Sequence, residues 1–180
     1  MKRILLILII VALSTSCTKA RRATVETTLL LQAKPEQALV SFVRGSNKEF
    51  VSIWDRESCI GFLIPRKILQ AELTPGKHLF IARSLHTYDF VKADLDPGSH
   101  YIIFVDESRN GVNFIPIPSD TDEAVVKKWF KNYKAVRTME QYLRPYGERQ
   151  LPRIKKYIDE AEVDETRHPL EPYPTKLRAR

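Results

Sequence analysis

The chain has 180 residues, 43% hydrophobic and 28% charged, a balance that suits one globular domain with an extension and excludes wholesale disorder. Its formal net charge is +7. If an opening segment with Lys2 and Arg3 is removed, 27 basic residues face 22 acidic ones, and the remaining +5 is too small to indicate a nucleic-acid partner.

The amino terminus reads "MKRILLILIIVALSTSC". Lys2 and Arg3 precede an unbroken apolar run from Ile4 to Leu13, and small residues then lead to Cys17. That order is the charged, apolar and small-residue sequence of an export signal, placed at 1–16. The apolar run is shorter than the roughly 20 residues a spanning helix requires. "LSTSC" resembles the lipobox of bacterial lipoproteins, with Leu13 four residues before the cysteine and Ser14 where Leu is usual. The resemblance implies that Cys17 becomes the first mature residue and is lipidated, its thiol accepting a diacylglyceryl group. Lipidation is favoured here over plain signal cleavage and over an ordinary buried cysteine. More than one acyl chain on that residue anchors a protein stably. In lipoproteins of this kind an aspartate after the cysteine retains the protein at the inner membrane. Here Thr18 follows, so the expectation is the outer membrane, facing the periplasm.

Residues 17–37 read as a tether, polar at both ends with one apolar patch from Leu29 to Leu31. As a flexible chain, the segment spans on the order of 25 Å. "TVETTLLL" could instead add a first strand to the domain.

From 38 to 118 the chain reads as strands: "ALVSFVR", "EFVSIWD", "CIGFLI", "KILQAEL", "KHLFIARSL", "DFVKADL", "HYIIFVD" and "VNFIPI". Each is rich in Val, Ile, Phe or Tyr, and Gly, Pro, Asn, Ser or charged residues separate them. Period-two alternation is clear in "FVSIWD", and no helical spacing interrupts the series. The expectation is a mainly β fold, an antiparallel β-sandwich of about seven to eight strands with a C-terminal helical extension. Cys59 opens an apolar run and reads as a small buried hydrophobe, not a reactive thiol. With Cys17 lipidated it has no intrachain partner.

"ELTPGKHLF" (Glu72 to Phe80) returns as "DLDPGSHYI" (Asp94 to Ile102). Pro presets φ for the first central position of a type II turn and Gly accepts the positive φ of the second, so both phrases read as turns launching strands. His78 shares parity with Phe80 and Ala82, and His100 with Ile102 and Phe104, which places both imidazoles at the rim of the expected core. A metal site requires three or four ligands. With His86 the only further candidate in the domain, the histidines read as rim residues bonded to backbone, and no metal, cofactor or catalytic residue is assigned.

The run "ALVSFVR … VSIWD … CIGFLI … ELTPGKHLFIARS … KADLDPGSHYIIFV" resembles a widespread domain of unknown function in bacterial lipoproteins. That domain is related to PEGA-type surface modules and other small prealbumin-like sandwiches. The matching positions are Ala38 to Arg44, Asp55 with Ile60 to Leu63, Leu73 to His78, and Leu95 to Tyr101. The resemblance implies a small β-sandwich in the cell envelope and carries no catalytic residues. Cys59 departs from it, standing where a turn residue is more usual.

After Ile117 the pattern changes. Ser119 or Asp120 reads as an N-cap for a helix that presents Val125, Val126, Trp129, Phe130, Tyr133, Val136 and Met139 on one face and is stopped by Pro145. A second helix, from about Leu151 to Ala161, presents Leu151, Ile154, Tyr157 and Ile158. Both apolar faces are expected to pack on the sandwich, within an extension at 119–162; the alternative is that they form a groove for a partner protein. Lys127, Lys128, Lys131, Lys134 and Arg137 make the first helix basic, a solvated face that could also meet anionic lipid or cell-wall polymer. The Pro-rich basic tail, 163–180, reads as disordered.

The sequence contains no G-x-S-x-G, H-E-x-x-H, C-x-x-C, phosphate loop or G-x-G-x-x-G pattern. The reading is a non-catalytic envelope lipoprotein: membrane-bound through its lipid, with an envelope protein or a glycan as the expected partner. The alternatives are a surface-exposed lipoprotein that binds an external macromolecule and an unrecognised envelope hydrolase.

Overall fold

Strands form where β-branched and aromatic residues lie between turn residues, and the chain follows that rule closely. The computed structural model describes residues 20–30, 32–45, 49–85, 87–108, 111–164 and 170–173. The expectations for 1–16, Cys17, Thr18 and His86, and for most of the tail, fall on positions outside the described residues. Among the described residues, ten strands form: β1 (Thr24–Thr27), β2 (Ala38–Arg44), β3 (Val51–Asp55), β4 (Ser58–Leu63), β5 (Lys67–Leu73), β6 (Gly76–Arg83), β7 (Tyr88–Leu95), β8 (His100–Ser108), β9 (Gly111–Pro116) and β10 (Lys134–Thr138). Two helices, α1 (Glu123–Asn132) and α2 (Glu140–Val163), flank β10. Among the described residues, no helix is long and apolar enough to cross a membrane.

The strands form two sheets. One runs β1-β10-β5-β2-β8-β9 and the other β4-β3-β6-β7. Alternation sorts each strand onto two faces. Val40 and Phe42 of the six-stranded sheet meet Ile53, Phe80, Ala82 and Val91 of the four-stranded sheet in one core. The Phe42 and Phe80 rings lie edge to face across it, 5.3 Å apart. The opposite faces are covered too. Val126, Trp129 and Phe130 of α1 pack over Val43, Ile68 and Ile102. Ile154, Tyr157, Ile158 and Ala161 of α2 pack over Trp54, Leu79 and Ile81. The order is helix, sheet, sheet, helix. Strand β2, central in its sheet, is therefore buried at all seven positions, which is why it reads as a nearly continuous apolar run.

The expected all-antiparallel arrangement is corrected. β2 pairs with β8 in parallel, as does β5 with β10. Period-two alternation carries no direction, and the intervening strands give the chain length enough to return from the same end. The two Pro-Gly phrases sit at changes of sheet: β5 to β6 leaves the six-stranded sheet, and β7 to β8 re-enters it. Gly76 and Gly98 take φ of +118° and +70°, the positive values these turns require.

The helical region also differs from expectation. The N-cap is Asp122, whose carboxylate accepts from the Ala124 amide at 2.8 Å, in place of Ser119 or Asp120. The apolar periodicity from Val125 to Met139 is not one helix, because Lys134–Thr138 leaves it as β10. Val136 and Thr138 are β-branched, and β5 offers an edge whose backbone groups need partners. Pro145 does not stop a helix but lies inside α2, as does Pro152. Each interior proline costs about 3 kcal/mol. Burial of a large apolar side chain returns about 1.5–3 kcal/mol, and α2 places several on the four-stranded sheet. In the tail, Leu170 enters the core between the sheets and the Tyr173 amide bonds the His100 carbonyl at 2.7 Å, so these residues are packed.

Candidate interaction site at the N-terminal corner

The segment expected to be a free tether is docked from residue 20. Residues 20–23 form a helical turn. Ala20 and Ala23, small enough to approach closely, pack on Phe62 and Ile64, with Phe50 and Tyr146 alongside. β1 then pairs antiparallel with β10, and the Met139 amide bonds the Ala23 carbonyl at 2.8 Å. Further on, the Gln70 side-chain amide imitates a strand backbone. Its oxygen accepts from the Leu30 N–H and its nitrogen donates to the Leu30 carbonyl, both at 2.8 Å. Lys34 pairs with Glu72 at 2.9 Å. β-branched residues in "TVET" beside the open edge of β10 explain the docking.

This corner is rich in cations. A groove of about 310 Å³ opens between Arg21, Glu26, Ile64, Pro65 and Lys67. Glu26 bonds Lys134 at 2.8 Å and Lys67 at 2.9 Å, and those two ammonium groups, Lys134 foremost, hold its carboxyl below the usual value. Arg21, Arg22 and Arg66 are exposed, and none pairs with a carboxylate among the described residues. Arg66 occupies the turn from β4 to β5 with φ +57°, the left-handed region that favours glycine.

The histidines singled out from the sequence are not brought together. His78 keeps its expected place at the rim of the core between the sheets. Its Nδ1 faces Asp55 at 2.7 Å and its Nε2 donates to the Thr74 carbonyl at 2.8 Å, tying the end of β3 to the turn before β6. His100 has the expected parity but lies on the opposite face. Ile102 and Phe104 point toward α1, so His100 lies under Phe130 with its Nε2 2.8 Å from the Ser41 hydroxyl. Among the described residues, no group of three or more His, Cys, Asp or Glu could hold a metal ion. Cys59 is half-buried beneath α2, and burial pushes its thiol up to about 12.

Sequence reasoning missed Arg44. Only 1% exposed at the end of β2, its guanidinium is held by Glu107. Burial pulls its pKa below the usual value, and the nearby carboxylates of Glu107, Glu49 and Asp106 oppose that shift. Nothing in "ALVSFVR" distinguishes this terminal arginine from a solvated one. The expected basic helix face is divided as well. Lys127, Lys128 and Lys131 lie on α1, with Lys127 paired to Glu123, whereas Lys134 and Arg137 belong to β10 beside the docked N-terminal strand.

Compared with known proteins, the chain matches no family model and no curated relative.

Proposed function

We propose that the chain is a lipid-anchored protein of the bacterial cell envelope, acylated at Cys17, whose folded body acts as a non-catalytic binding or scaffolding module at the outer membrane, facing the periplasm. The observation that carries the reading is the order of the N-terminal residues: two cations, an apolar run too short to span, small residues and a cysteine. The packing of Ala20 and Ala23 on Phe62 and Ile64 supports it, because the body is already packed three residues after the proposed acylation site. The body is held to the membrane by the lipid, and its helices and sheet edges are left to meet an envelope protein or glycan.

The test is Cys17→Ser in the full chain. The native protein is expected to partition with membranes, with a mature mass that includes the acyl chains on Cys17. The variant is expected to lose that mass and to leave the membrane fraction or remain unprocessed. Membrane partition and mature mass that are both unchanged by Cys17→Ser would overturn the reading.

A further inference from the structure

We infer that the body lies flush on the bilayer, with the corner formed by Arg21, Arg22 and the Pro65–Lys67 turn against anionic phospholipid headgroups. The inference rests on the lipid anchor proposed above and adds an orientation and a lipid class. Its first support is chain length. Three residue steps separate Cys17 from Ala20, which is 3% exposed and already packed on the body. Fully extended, three steps span at most about 11 Å. A 20-residue tether would let the body tumble, whereas this one holds residue 20 beside the headgroups.

The second support is charge. The corner that the short linker brings down carries Arg21, Arg22 and Arg66, all exposed and without a carboxylate partner among the described residues. Lys67 and Lys134 stand near them, joined through Glu26. Opposing them are Glu26, already shared by two lysines, Glu140 at the start of α2, and Glu49, Asp106 and Glu107, which face Arg44 next to Gly45, whose carbonyl accepts from the Arg66 amide. With a screening length of about 8 Å at physiological salt, cations this close to the surface feel its potential. Arg66 adds a third argument. Its left-handed φ of +57° would suit glycine, and its exposed side chain makes no ion pair among the described residues that would require arginine there.

The far end of α2 supplies the contrast. The helix starts beside Ala23 and, at 24 residues, is about 36 Å long. Its last turn holds no basic residue, and Asp159, Glu160, Glu162 and Asp164 cluster there. An anionic surface attracts the first end and has no comparable pull on the second, where cations and carboxylates pair.

The experiment uses the full acylated chain, reconstituted in vesicles of phosphatidylcholine with phosphatidylglycerol and a trace of nickel-chelating lipid. A spin label is placed at Arg66→Cys in one sample and at Val163→Cys, 82% exposed at the far end of α2, in another. Cys59, half-buried beneath α2, is replaced by Ala in both samples so that only the introduced thiol carries the label. The nickel headgroups are expected to accelerate relaxation at position 66 and leave position 163 unchanged. Replacing phosphatidylglycerol by phosphatidylcholine, or introducing Arg21→Glu with Arg22→Glu, is expected to reduce the difference. Equal relaxation at the two positions in an acylated chain overturns the orientation and leaves the anchor standing. A difference undiminished in phosphatidylcholine alone overturns recognition of anionic lipid. A mature mass without acyl chains overturns the anchor and the orientation together.

Discussion

Among the described residues, two arginines occupy left-handed turns, and their surroundings differ. Arg56, φ +47°, turns β3 into β4 and lies 3.6 Å from Glu162 near the end of α2. Arg66, φ +57°, turns β4 into β5 beside the docked N-terminal segment and pairs with no carboxylate among the described residues. The contrast extends to the regions around them. Near the end of α2, opposite charges meet in pairs: Lys155 with Glu57, Lys156 with Glu160, and Tyr88 donating to Glu160. At the N-terminal corner, by contrast, several cations share few anions. Acidic residues in the last turn of a helix oppose its dipole, so the polarity along α2 is not one that helix stability selects. At one corner the charges are paired, and at the other Arg21, Arg22 and Arg66 have no carboxylate partner among the described residues.

That contrast depends on α2 staying seated between the corners. The largest predicted effect is therefore at Ile154, fully buried against Trp54 and Ile81. Ile154→Ala is expected to cost about 2–5 kcal/mol in urea unfolding. It should also make Cys59, whose Cβ would be 3.8 Å from a Cβ built at Gly147, reactive toward a thiol reagent at neutral pH. Unchanged unfolding and an inert thiol would mean that α2 does not hold this layer together.

The next effect is at the corner itself. A Cβ on Gly61 would lie 2.9 Å from the Thr138 hydroxyl and 3.0 Å from Leu69, and the same hydroxyl accepts from the Phe62 amide at 2.7 Å. Gly61→Ala is expected to cost about 1–3 kcal/mol through overpacking. Because it pushes β10 from β4, it should also expose the N-terminal segment to protease before global unfolding. Loss of stability without earlier cleavage would separate the packing of β10 from the docking of residues 20–27.

The strands were readable because alternation is a local signal. β2 and β5 fall where their runs of Val, Ile, Leu and Phe place them, and the Pro-Gly phrases mark their turns. Direction and sheet membership depend on partners far along the chain, so the parallel pairs were not readable. β10 was hidden because Val136 and Met139 also satisfy helical spacing; only the open edges of β5 and β1 select the strand. The corner was missed for a similar reason. "TKARRATVET" looks like tether because its cations dominate, and the burial of Ala20 and Ala23 depends on Phe62 and Ile64, some forty residues away. No sequence feature marks Arg66 as left-handed.

The two turns can be compared directly. Arg66→Gly relieves a left-handed residue whose conformation costs about 1–2 kcal/mol, offset by about 0.5–1 kcal/mol for the freedom glycine gains when unfolded. The expected net is a stabilisation of up to about 1.5 kcal/mol, with weaker association of the corner with anionic vesicles. Arg56→Gly should gain less, because it also gives up the exposed pair with Glu162, worth about 0–1 kcal/mol. Equal gains in thermal unfolding would show that the Glu162 pair contributes nothing and would narrow the contrast between the turns.

The smallest effect is at Glu26, and its sign follows from its shift. Lys134 and then Lys67 hold the carboxyl below its ordinary 4.5 in the folded protein. A lowered folded-state value means that the unfolded carboxyl binds its proton first as pH falls. The stabilisation is present above the ordinary value and is lost as pH drops through the lowered one. Glu26 joins β1 to the starts of β5 and β10, so the loss is local: amide exchange in β1 should accelerate on acidification while β2 and β8 remain protected. Glu26→Gln should remove that pH dependence and leave Lys67, Lys134 and the nearby arginines with one opposing charge fewer. If the corner faces anionic headgroups, the same substitution should strengthen vesicle contact while loosening β1, two effects of opposite sign that a purely structural role for Glu26 would not produce together.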